Sequence, residues 1–318
     1  MDVSFIIPHK GREEMLLATL QSIFRLQRHE QQLEVVIVSQ NSSTTDALEQ
    51  LIAKHPIQLI RHQGNTISEM RNVGVTHATG DYLAFLDADV ELSPNWLVVM
   101  LETMTQRPHT ILVSAHQIEG PNAPPLEKIR TALSNAELDC SVTFLPGRNL
   151  FLKRETFARL GGFPEHLVTC EDYYFTERAS RLGELFYTSA ASYVHLGEDK
   201  VYKEMFYKEI WRGQSNLQSI KGRSIPMREW PSFVVPPALL ALLICAIASL
   251  LLGLWPATVA SLILFAIPVA AYSWRLKRLV GEAVSLSKVV QFYSMFFPAR
   301  AIGTLSGALK EIKTTSHS

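Results

Sequence analysis

The feature that most constrains this chain is an uncharged stretch in its C-terminal part: between Trp230 and Trp274 there is no Asp, Glu, Lys or Arg. Two apolar runs, 233–252 and 257–274, are separated by a tight turn that we predict at 253–256. Each run is close to the ~20 residues with which a helix crosses a bilayer. The alternative is a buried helical hairpin of a soluble protein, but soluble helices rarely run this long without a charge. We therefore predict a transmembrane helical hairpin.

The hairpin divides the chain into three predicted parts. These are a cytosolic α/β domain at 1–225, two transmembrane helices at 230–275 and an amphipathic, interfacial tail at 276–318. Basic residues lie outside both ends of the hairpin, which predicts that both flanks are cytosolic. They are Lys208, Arg212, Lys221, Arg223 and Arg228 before the hairpin, and Arg275, Lys277 and Arg278 after it. We therefore expect a multi-pass membrane protein with two spans and a cytoplasmic N-terminal domain.

Composition narrows the function classes. The 318 residues carry a formal net charge of +0, so no general affinity for nucleic acid is indicated. The three cysteines, Cys140, Cys170 and Cys245, form no Cys-x-x-Cys pair. Their odd number argues against a disulfide framework and fits a reducing compartment. Residues 3–7 are typical of a strand rather than of a signal peptide, so we expect the first two hundred residues to stay in the cytosol.

Residues 1–120 alternate strand and helix patterns. A capping box at Thr66 and Glu69 predicts the start of one helix, and Gly80 predicts its end. Continuous apolar runs such as 35–38 are typical of strands that are covered on both faces. The predicted strands are 3–7, 33–38, 57–60, 82–86 and 111–114, and a strand-turn-strand pattern follows at 144–152. This order predicts an α/β fold with a doubly wound, mainly parallel sheet.

Asp87 and Asp89 follow directly after the apolar strand 82–86. In an open α/β sheet, ligands bind at the carboxyl ends of the strands. Two acids one residue apart point to the same side of an extended chain, and they repel each other unless a cation lies beside them. Hard divalent ions prefer oxygen ligands and often bridge a carboxylate to a diphosphate. On spacing alone, a polar turn explains the pair equally well.

Several short motifs occur together in a specific order. They are Phe5-Ile6-Ile7-Pro8, Met70-Arg71-Asn72-Val73-Gly74, Asp87-Ala88-Asp89, Gly161-Gly162-Phe163-Pro164-Glu165 and Glu171-Asp172. Over residues 3–200 the chain resembles the family 2 glycosyltransferases. In the same order, the motifs match that family's opening strand, Ala-Arg-Asn-x-Gly helix, Asp-x-Asp strand, Gly-Gly-Phe-x-Glu turn and Glu-Asp helix start. The resemblance implies a GT-A fold, a nucleotide-sugar donor, a divalent metal (Mn²⁺ or Mg²⁺) and inversion at the anomeric carbon.

The resemblance also implies roles for single residues. Asp89 is the expected direct metal ligand, and Asp172 is the expected general base for the acceptor hydroxyl. Glu171 is expected to position the acceptor, and His195 stands where some members place a metal-binding histidine. The expected donor-binding residues are Pro8, Lys10, Ser39, Arg71 and Asp87, the last through the ribose or the metal shell.

These residues also have structural alternatives. Glu171-Asp172 also matches the ordinary acidic charge of a helix N-terminus. Arg71 could be a surface cation of its helix, and His195 could be a core histidine with its hydrogen bonds made inside the protein. Lys10 and Arg12 follow the first strand, where they either face phosphate or are solvated loop charges. The residues alone leave these alternatives open.

The chain departs from the family pattern after the second strand. Many members carry a pattern like Asp-Asp/Asn-Gly-Ser there, and its acid contacts the nucleobase. This chain has Ser39-Gln40-Asn41-Ser42 instead. A Ser or Gln can still hydrogen-bond a base. We expect a UDP-sugar donor, while the departure weakens the choice of uridine over guanosine.

We therefore expect an inverting, hexosyl-type glycosyltransferase that adds a single sugar to a lipid or lipid-linked acceptor at the cytosolic membrane face. Anchoring would confine the enzyme to the surface where such an acceptor lies. One alternative is a catalytically inactive, glycosyltransferase-like membrane scaffold, which the missing acid near Ser39 would fit. Another is a nucleotidyltransferase, which would be expected to carry a glycine-rich phosphate loop where this chain has only Gly11.

Overall fold

The structure, a computed structural model, describes residues 2–28, 30–220, 227 and 229–315. The chain divides into two compact units: Met1–Pro121 with Ser134–Glu198, and Asn122–Leu133 with Asp199–Ser318. The predicted domain boundary at 225 and the basic residues Lys221, Arg223 and Arg228 lie outside the described residues.

The first unit contains a mixed β-sheet with flanking helices. Its strands are β1 (Val3–His9), β2 (Leu33–Ser39), β3 (Ile57–Arg61), β4 (Tyr82–Leu86), β5 (Val90–Leu92), β6 (Thr110–Ile118), β7 (Cys140–Val142), β8 (Asn149–Lys153) and β9 (Glu184–His195). Its helices are α1 (Glu13–Phe24), α2 (Asp46–Lys54), α3 (Ile67–His77), α4 (Trp96–Gln106), α6 (Arg154–Leu160) and α7 (Glu171–Ser180); α5 (Pro125–Ser134) belongs almost wholly to the second unit.

The sheet has the order β3-β2-β1-β4-β8-β6-β9-β5, and β7 pairs with β9. Among the described strands, β1, β2, β3, β4, β6 and β9 run in one direction, and β5, β7 and β8 run against them. The predicted α/β class with a mainly parallel sheet is thus confirmed. The antiparallel strand β8 lies between β4 and β6, which the local sequence pattern did not reveal.

The predicted strand-turn-strand at 144–152 contains only one strand, β8, which starts at Asn149. The residues before it form a loop. The turn expected around Pro146-Gly147 is present, and there the Gly147 amide donates to Asp172 and its carbonyl accepts from Arg71.

Apolar side chains cover both faces of the sheet. Along β1, Phe5 and Ile7 pack into one cluster and Ile6 into the other, as the alternation of a strand requires. Trp96 anchors the first cluster against Phe5, with ring centroids 5.9 Å apart. The continuous apolar runs in the sequence are therefore strands buried on both sides.

The predicted helix start at Thr66 is also present. The Thr66 side chain accepts from the Glu69 amide at 3.2 Å, and Glu69 Oε2 accepts from the Asn65 amide at 2.8 Å. The first bond satisfies a backbone amide that a helix start leaves open, and the second holds the residue before the N-cap Thr66. They fix the first turn of α3, and α3 carries Arg71.

The second unit is helical. Besides α5 it contains α8 (Tyr202–Gly213), α9 (Trp230–Leu251), α10 (Trp255–Val280) and α11 (Leu286–Thr315). In the described part of the chain, α9 and α10 are long and apolar enough to cross a membrane by length and composition. In the most apolar 18-residue segment of each helix, only 22% (α9) and 17% (α10) is buried. The turn between them is shorter than predicted, because Trp255-Pro256 opens α10, where proline removes no helical hydrogen bond.

A buried ionic cluster stabilises the second unit. Glu209 of α8 is fully buried, and its carboxylate lies 3.2 Å from Arg130 of α5, 2.6 Å from Arg212 of α8 and 2.5 Å from Arg300 of α11. Asp199, also fully buried, pairs with Lys208 at 2.8 Å and with Arg212 at 2.9 Å. These pairs tie three helices together, since removing one partner of a buried pair leaves an uncompensated charge.

We expect Glu209→Gln to destabilise the second unit by about 2–4 kcal/mol, because three guanidinium groups lose their shared carboxylate. The matched control is Glu204→Gln, which removes an exposed acid from the first turn of the same helix. Thermal unfolding of the detergent-solubilised chain should show a drop of several degrees for Glu209→Gln alone. Equal melting temperatures for the two variants would contradict this assignment.

Candidate active site

Polar side chains converge at one edge of the sheet in the first unit. There the carboxyl ends of the parallel strands meet the amino end of β8. His9 and Ser39 end β1 and β2, Asp87 follows β4, Arg148 precedes β8, and His195 ends β9. This is the edge at which open α/β sheets bind ligands.

Arg71 is a fully buried cation at this edge, with a side chain 1% exposed. Its Nη1 donates to Glu171 Oε1 at 2.9 Å, and its Nη2 donates to Asp87 Oδ1 at 2.9 Å and to the Gly147 carbonyl at 3.1 Å. Its guanidinium also lies 5.0 Å from the centre of the Phe163 ring. A cation taken out of water needs such partners. Arg71 is therefore not a surface helix cation, and it joins α3, β4 and α7.

Glu171 and Asp172 open α7 after Cys170, whose φ of 63° lies in the left-handed region. Asp172 accepts from the backbone amides of Gly147 at 3.1 Å and Tyr173 at 2.8 Å. A Cβ on Gly147 would stand 2.9 Å from Asp172 Cβ, so glycine permits this close approach. The two acids are thus held differently: Glu171 by a side-chain cation and Asp172 by backbone amides.

The pKa of Glu171 is raised to about 7. Burial is the main cause, the neighbouring Asp172 raises the pKa further, and Arg71 opposes both. A carboxyl group with a pKa near neutrality exchanges its proton readily at physiological pH. Glu171 therefore contributes more than a fixed charge at a helix start.

Asp89 belongs to a second charged cluster. Its Oδ1 lies 3.4 Å from His195 Nε2, and its Oδ2 lies 3.1 Å from Arg12 Nη2. β4 ends at Leu86, and the next residues leave the extended conformation, so strand alternation does not govern the two acids. Asp87 pairs with Arg71 and Asp89 with Arg12, and each carboxylate therefore has its own cation.

His195 is fixed from its other side by Glu198. His195 Nδ1 lies 3.1 Å from Glu198 Oε2, which also accepts from Gln117 Nε2 at 3.1 Å. Gln117 Oε1 accepts from Arg148 Nη2 at 2.9 Å. This chain of contacts fixes the ring of His195 with Nε2 towards Asp89.

The two facing groups shift each other's pKa. Burial alone would raise the pKa of Asp89, but His195, Arg12 and Arg148 outweigh it and lower that pKa. Burial alone would lower the pKa of His195, but its contacts with Asp89 and Glu198 raise it. Asp89 is therefore an ionised carboxylate.

The residues around Asp89 fit a divalent metal. A carboxylate oxygen and an imidazole nitrogen converge, and both are donor types that Mn²⁺ accepts. The carboxylate that holds the other ring nitrogen is the usual outer partner of a metal-binding histidine. In the described part of the chain, no group of three or more His, Cys, Asp or Glu side chains converges as a metal site. Asp89 and His195 would hold such an ion only together with substrate or water oxygens.

The expected nucleobase side is built from neutral groups. Ser39 Oγ lies 3.0 Å from His9 Nδ1 and accepts from the Asn41 amide at 3.1 Å. Gln40 Nε2 donates to the Gly64 carbonyl. Pro8 is buried within β1, whereas Lys10 is exposed in the loop after it. Of the expected donor residues, Arg71 and Asp87 are in contact with each other, while Pro8, Lys10 and Ser39 border the same sheet edge.

Sequence reasoning missed Glu198, Gln117 and Arg148. His195 and Glu198 have the i, i+3 spacing that is typical of paired polar groups, and this was the available signal. Gln117 and Arg148 gave no local signal, because they reach the cluster from β6 and from the loop before β8, which are distant from His195 in sequence. The roles assigned to the site residues stay predictions.

Comparisons with known proteins agree with this geometry. The model of the family described as glycosyl transferase family 2 matches residues 4–161. An uncharacterised glycosyltransferase of Haemophilus influenzae is 28% identical over 181 residues, which are 54% of this chain and 60% of that protein. The match thus spans less than two thirds of that relative.

Two solved structures share the fold. The mannosyltransferase PcManGT from Pyrobaculum calidifontis, in complex with GDP-Man and Mn²⁺, has a TM-score of 0.64 at 19% identity, over 96% of this chain and 86% of that chain. Residues 1–349 of TarS from S. aureus, in complex with UDP, have a TM-score of 0.53 at 17% identity, over 98% of this chain and 92% of that chain. These likenesses confirm the expected GT-A fold.

Glu171 predicts a pH dependence of stability. Its pKa of about 7 in the folded protein lies above the ordinary value of 4.5, so the folded protein keeps a proton that the unfolded chain releases. This contribution to the free energy of unfolding is complete below about pH 4.5 and is lost as the pH rises through about 7. As the pH rises from about 5 to about 7.5, we expect the melting temperature of the wild type to fall by several degrees relative to that of Glu171→Gln, because only the wild type loses this contribution.

The matched control for this measurement is Glu155→Gln, which removes an exposed acid from the first turn of α6. Its melting temperature should follow the wild-type pH profile. A pH profile of Glu171→Gln parallel to that of the wild type would contradict the raised pKa.

Proposed function

Because the chain belongs to glycosyl transferase family 2, we propose that it transfers a single hexosyl-type sugar from a nucleotide-sugar donor to a lipid or lipid-linked acceptor. We further propose that the reaction inverts the anomeric carbon, requires Mn²⁺ or Mg²⁺ and occurs at the cytosolic membrane face. The observation that carries this proposal is the convergence of two acid clusters at one sheet edge. One cluster is centred on Asp89 with His195, and the other on Asp172 with Arg71.

The donor diphosphate is assigned to the Asp89 cluster. Asp89 and His195 would hold a divalent ion, which when bound supplies Lewis-acid stabilisation of the leaving diphosphate. Glu198 keeps the histidine ring in the orientation that this requires. Asp87, held by Arg71 with 30% of its side chain exposed, is available for a ribose hydroxyl.

The acceptor is assigned to the Asp172 cluster. In an inverting transfer the acceptor oxygen attacks the anomeric carbon, the bond from that carbon to the diphosphate oxygen breaks, and its electron pair leaves with the diphosphate. The acceptor proton passes to a carboxylate on the attacking side. Asp172 is that base in our proposal, because backbone amides orient it while Arg71 occupies an oxygen of Glu171. Glu171 then positions the acceptor.

A membrane location is supported by α9 and α10. Helix α9 has 22 residues, or about 33 Å at the helical rise, which matches the apolar thickness of a bilayer. The basic residues Arg275, Lys277 and Arg278 follow the second apolar run and favour a cytosolic position of that end. An enzyme held at a membrane meets lipid-borne acceptors in the same plane, and this favours a lipid or lipid-linked acceptor.

The nucleobase is proposed to be uracil. The structural neighbours carry GDP-Man or UDP, so the fold accommodates either base. His9 and Ser39 offer hydrogen-bonding groups at the base side, where the family acid is replaced. A thermal-shift screen of UDP- and GDP-sugars with Mn²⁺ tests this choice, since a ligand that binds only the folded state raises the melting temperature.

The alternative of a catalytically inactive scaffold rests on the missing acid at Ser39. The paired arrangement of Asp172 with Gly147 and of Asp89 with His195 favours the enzyme. Metal-dependent nucleotide binding by calorimetry separates the two. Binding of Mn²⁺ with a nucleotide supports the enzyme, and no binding of any nucleotide supports the scaffold.

We expect Asp172→Asn to lower sugar transfer by about 10²-fold or more, because the variant lacks the proton-accepting carboxylate. The matched control is Asp46→Asn, which removes an exposed first-turn acid from α2 and should leave transfer unchanged. Donor binding by thermal shift should survive in both variants. Undiminished transfer by Asp172→Asn would refute its role as base.

We expect Asp89→Ala to abolish measurable Mn²⁺ binding. Glu198→Gln should weaken Mn²⁺ binding by about 10–100-fold. Electron paramagnetic resonance measures the binding. The control is Asp81→Ala at the opposite end of β4, where an exposed acid lies far along the strand from the site. Wild-type Mn²⁺ affinity in Asp89→Ala would show that this residue is not the metal ligand.

A further inference from the structure

Arg12 contacts the proposed metal ligand from the loop between β1 and α1. Its Nη2 lies 3.1 Å from Asp89 Oδ2, while Asp89 Oδ1 faces His195. The two partners differ in exposure: the Asp89 side chain is 8% exposed and the Arg12 side chain 59%. One oxygen of Asp89 is thus held by a fixed interior group and the other by a cation with an open path to solvent.

The backbone around this ion pair is specialised for it. Arg12 has a φ of 38°, in the left-handed region, and Gly11 before it has a φ of 63°. Gly197 packs against the pair from the end of β9, where an added Cβ would overlap Asp89 Oδ2 and lie 2.6 Å from Arg12 Nη1. A strained arginine and a close-packed glycine persist only where surrounding contacts hold them in place.

We propose that Arg12 is an exchangeable cation on Asp89. A divalent metal displaces Arg12 from Asp89, and the displaced Arg12 then binds the donor diphosphate. This inference rests on the proposed function. A divalent ion held by Asp89 would compete with the guanidinium for this carboxylate. The displaced guanidinium is a planar fork of donors that matches phosphate oxygens. The exposed Lys10, two residues before Arg12, adds a second positive charge to the same loop.

The proposal predicts coupled binding of metal and nucleotide. Without a nucleotide, the metal displaces Arg12 from its carboxylate without giving it a new anion. With a nucleoside diphosphate present, Arg12 exchanges one anion for another. Metal and nucleoside diphosphate therefore strengthen each other's binding, and by linkage the factor is the same in both directions. Arg12 would thus disfavour metal binding before the donor arrives.

The competing explanation is a permanent ion pair. In that case Arg12 stays on Asp89 in every state and supports the loop, as many partly exposed ion pairs do at small gain in stability. Removing Arg12 would then leave Mn²⁺ affinity unchanged or would weaken it, since the loop would lose support.

The test compares Mn²⁺ binding by the full-length wild type and by Arg12→Gln, in detergent, by electron paramagnetic resonance. The measurement is made with Mn²⁺ alone and with UDP or GDP added. We expect Arg12→Gln to bind Mn²⁺ alone roughly threefold to tenfold more tightly, because a competing cation is gone. We also expect the nucleotide to increase Mn²⁺ affinity by a smaller factor in Arg12→Gln than in the wild type.

The matched control is Arg25→Gln. Arg12 directly precedes α1 and Arg25 directly follows it. The Arg25 side chain pairs with Glu91 at 3.5 Å and is 63% exposed. The Arg25→Gln variant should bind Mn²⁺ as the wild type does. An equal increase in Mn²⁺ affinity in Arg25→Gln and Arg12→Gln would overturn the proposal, because it would show a general charge effect. Arg12→Lys keeps the charge and should restore weak Mn²⁺ binding without nucleotide.

Two negative outcomes are distinguishable. If the wild type binds Mn²⁺ and a nucleoside diphosphate but Arg12→Gln binds Mn²⁺ no more tightly, the exchange is wrong and the proposed function stands. If the wild type binds neither Mn²⁺ nor a nucleoside diphosphate, the proposed function and the exchange both fail.

Discussion

The candidate site depends on the burial of one guanidinium group. Arg71 is removed from water almost completely, so its charge must be met by acceptors inside the protein. Asp87, Glu171 and the Gly147 carbonyl supply them from three separate segments. The end of β4, the start of α7 and the loop before β8 are thereby held around a single cation. Removing either carboxylate would leave the buried guanidinium with one anionic partner fewer, and its contact with Glu171 holds the start of α7, where Asp172 lies.

The loop before β8 links the two charged clusters. Gly147 contacts the Arg71 cluster, and the next residue, Arg148, donates to Gln117 in the Asp89 cluster. The Arg148 carbonyl also accepts from the Asp87 amide at 3.2 Å. The proposed base, Asp172, and the proposed metal ligand, Asp89, thus both depend on contacts made by two consecutive residues. This connection fits the displacement that we propose, in which attacking and leaving groups must be held in line.

Much of the fold was predictable from local patterns. Continuous apolar runs predicted the strands because both faces of this sheet are covered, and Thr66 with Glu69 predicted the start of α3. The acids Asp87, Asp89, Glu171 and Asp172 and the cation Arg71 were identified from ordered motifs. The strand expected before the turn at Pro146-Gly147 is absent, because the apolar residues Phe144 and Leu145 match the local strand pattern but have no strand partner in the fold. Glu198 and Gln117, which contact each other, were missed because they lie far apart in sequence.

By itself, the sequence determined the strands β1, β2, β3, β4 and β6, the start of α3 and the uncharged spans, because burial periodicity, capping residues and charge content are local properties of the chain. It also determined which ionisable groups are available to the site. The tertiary structure decided how those groups are paired: Arg71 with Asp87 and Glu171, and Arg12 with Asp89. These pairings depend on which charges are desolvated together, and desolvation arises only when segments distant in sequence pack against one another.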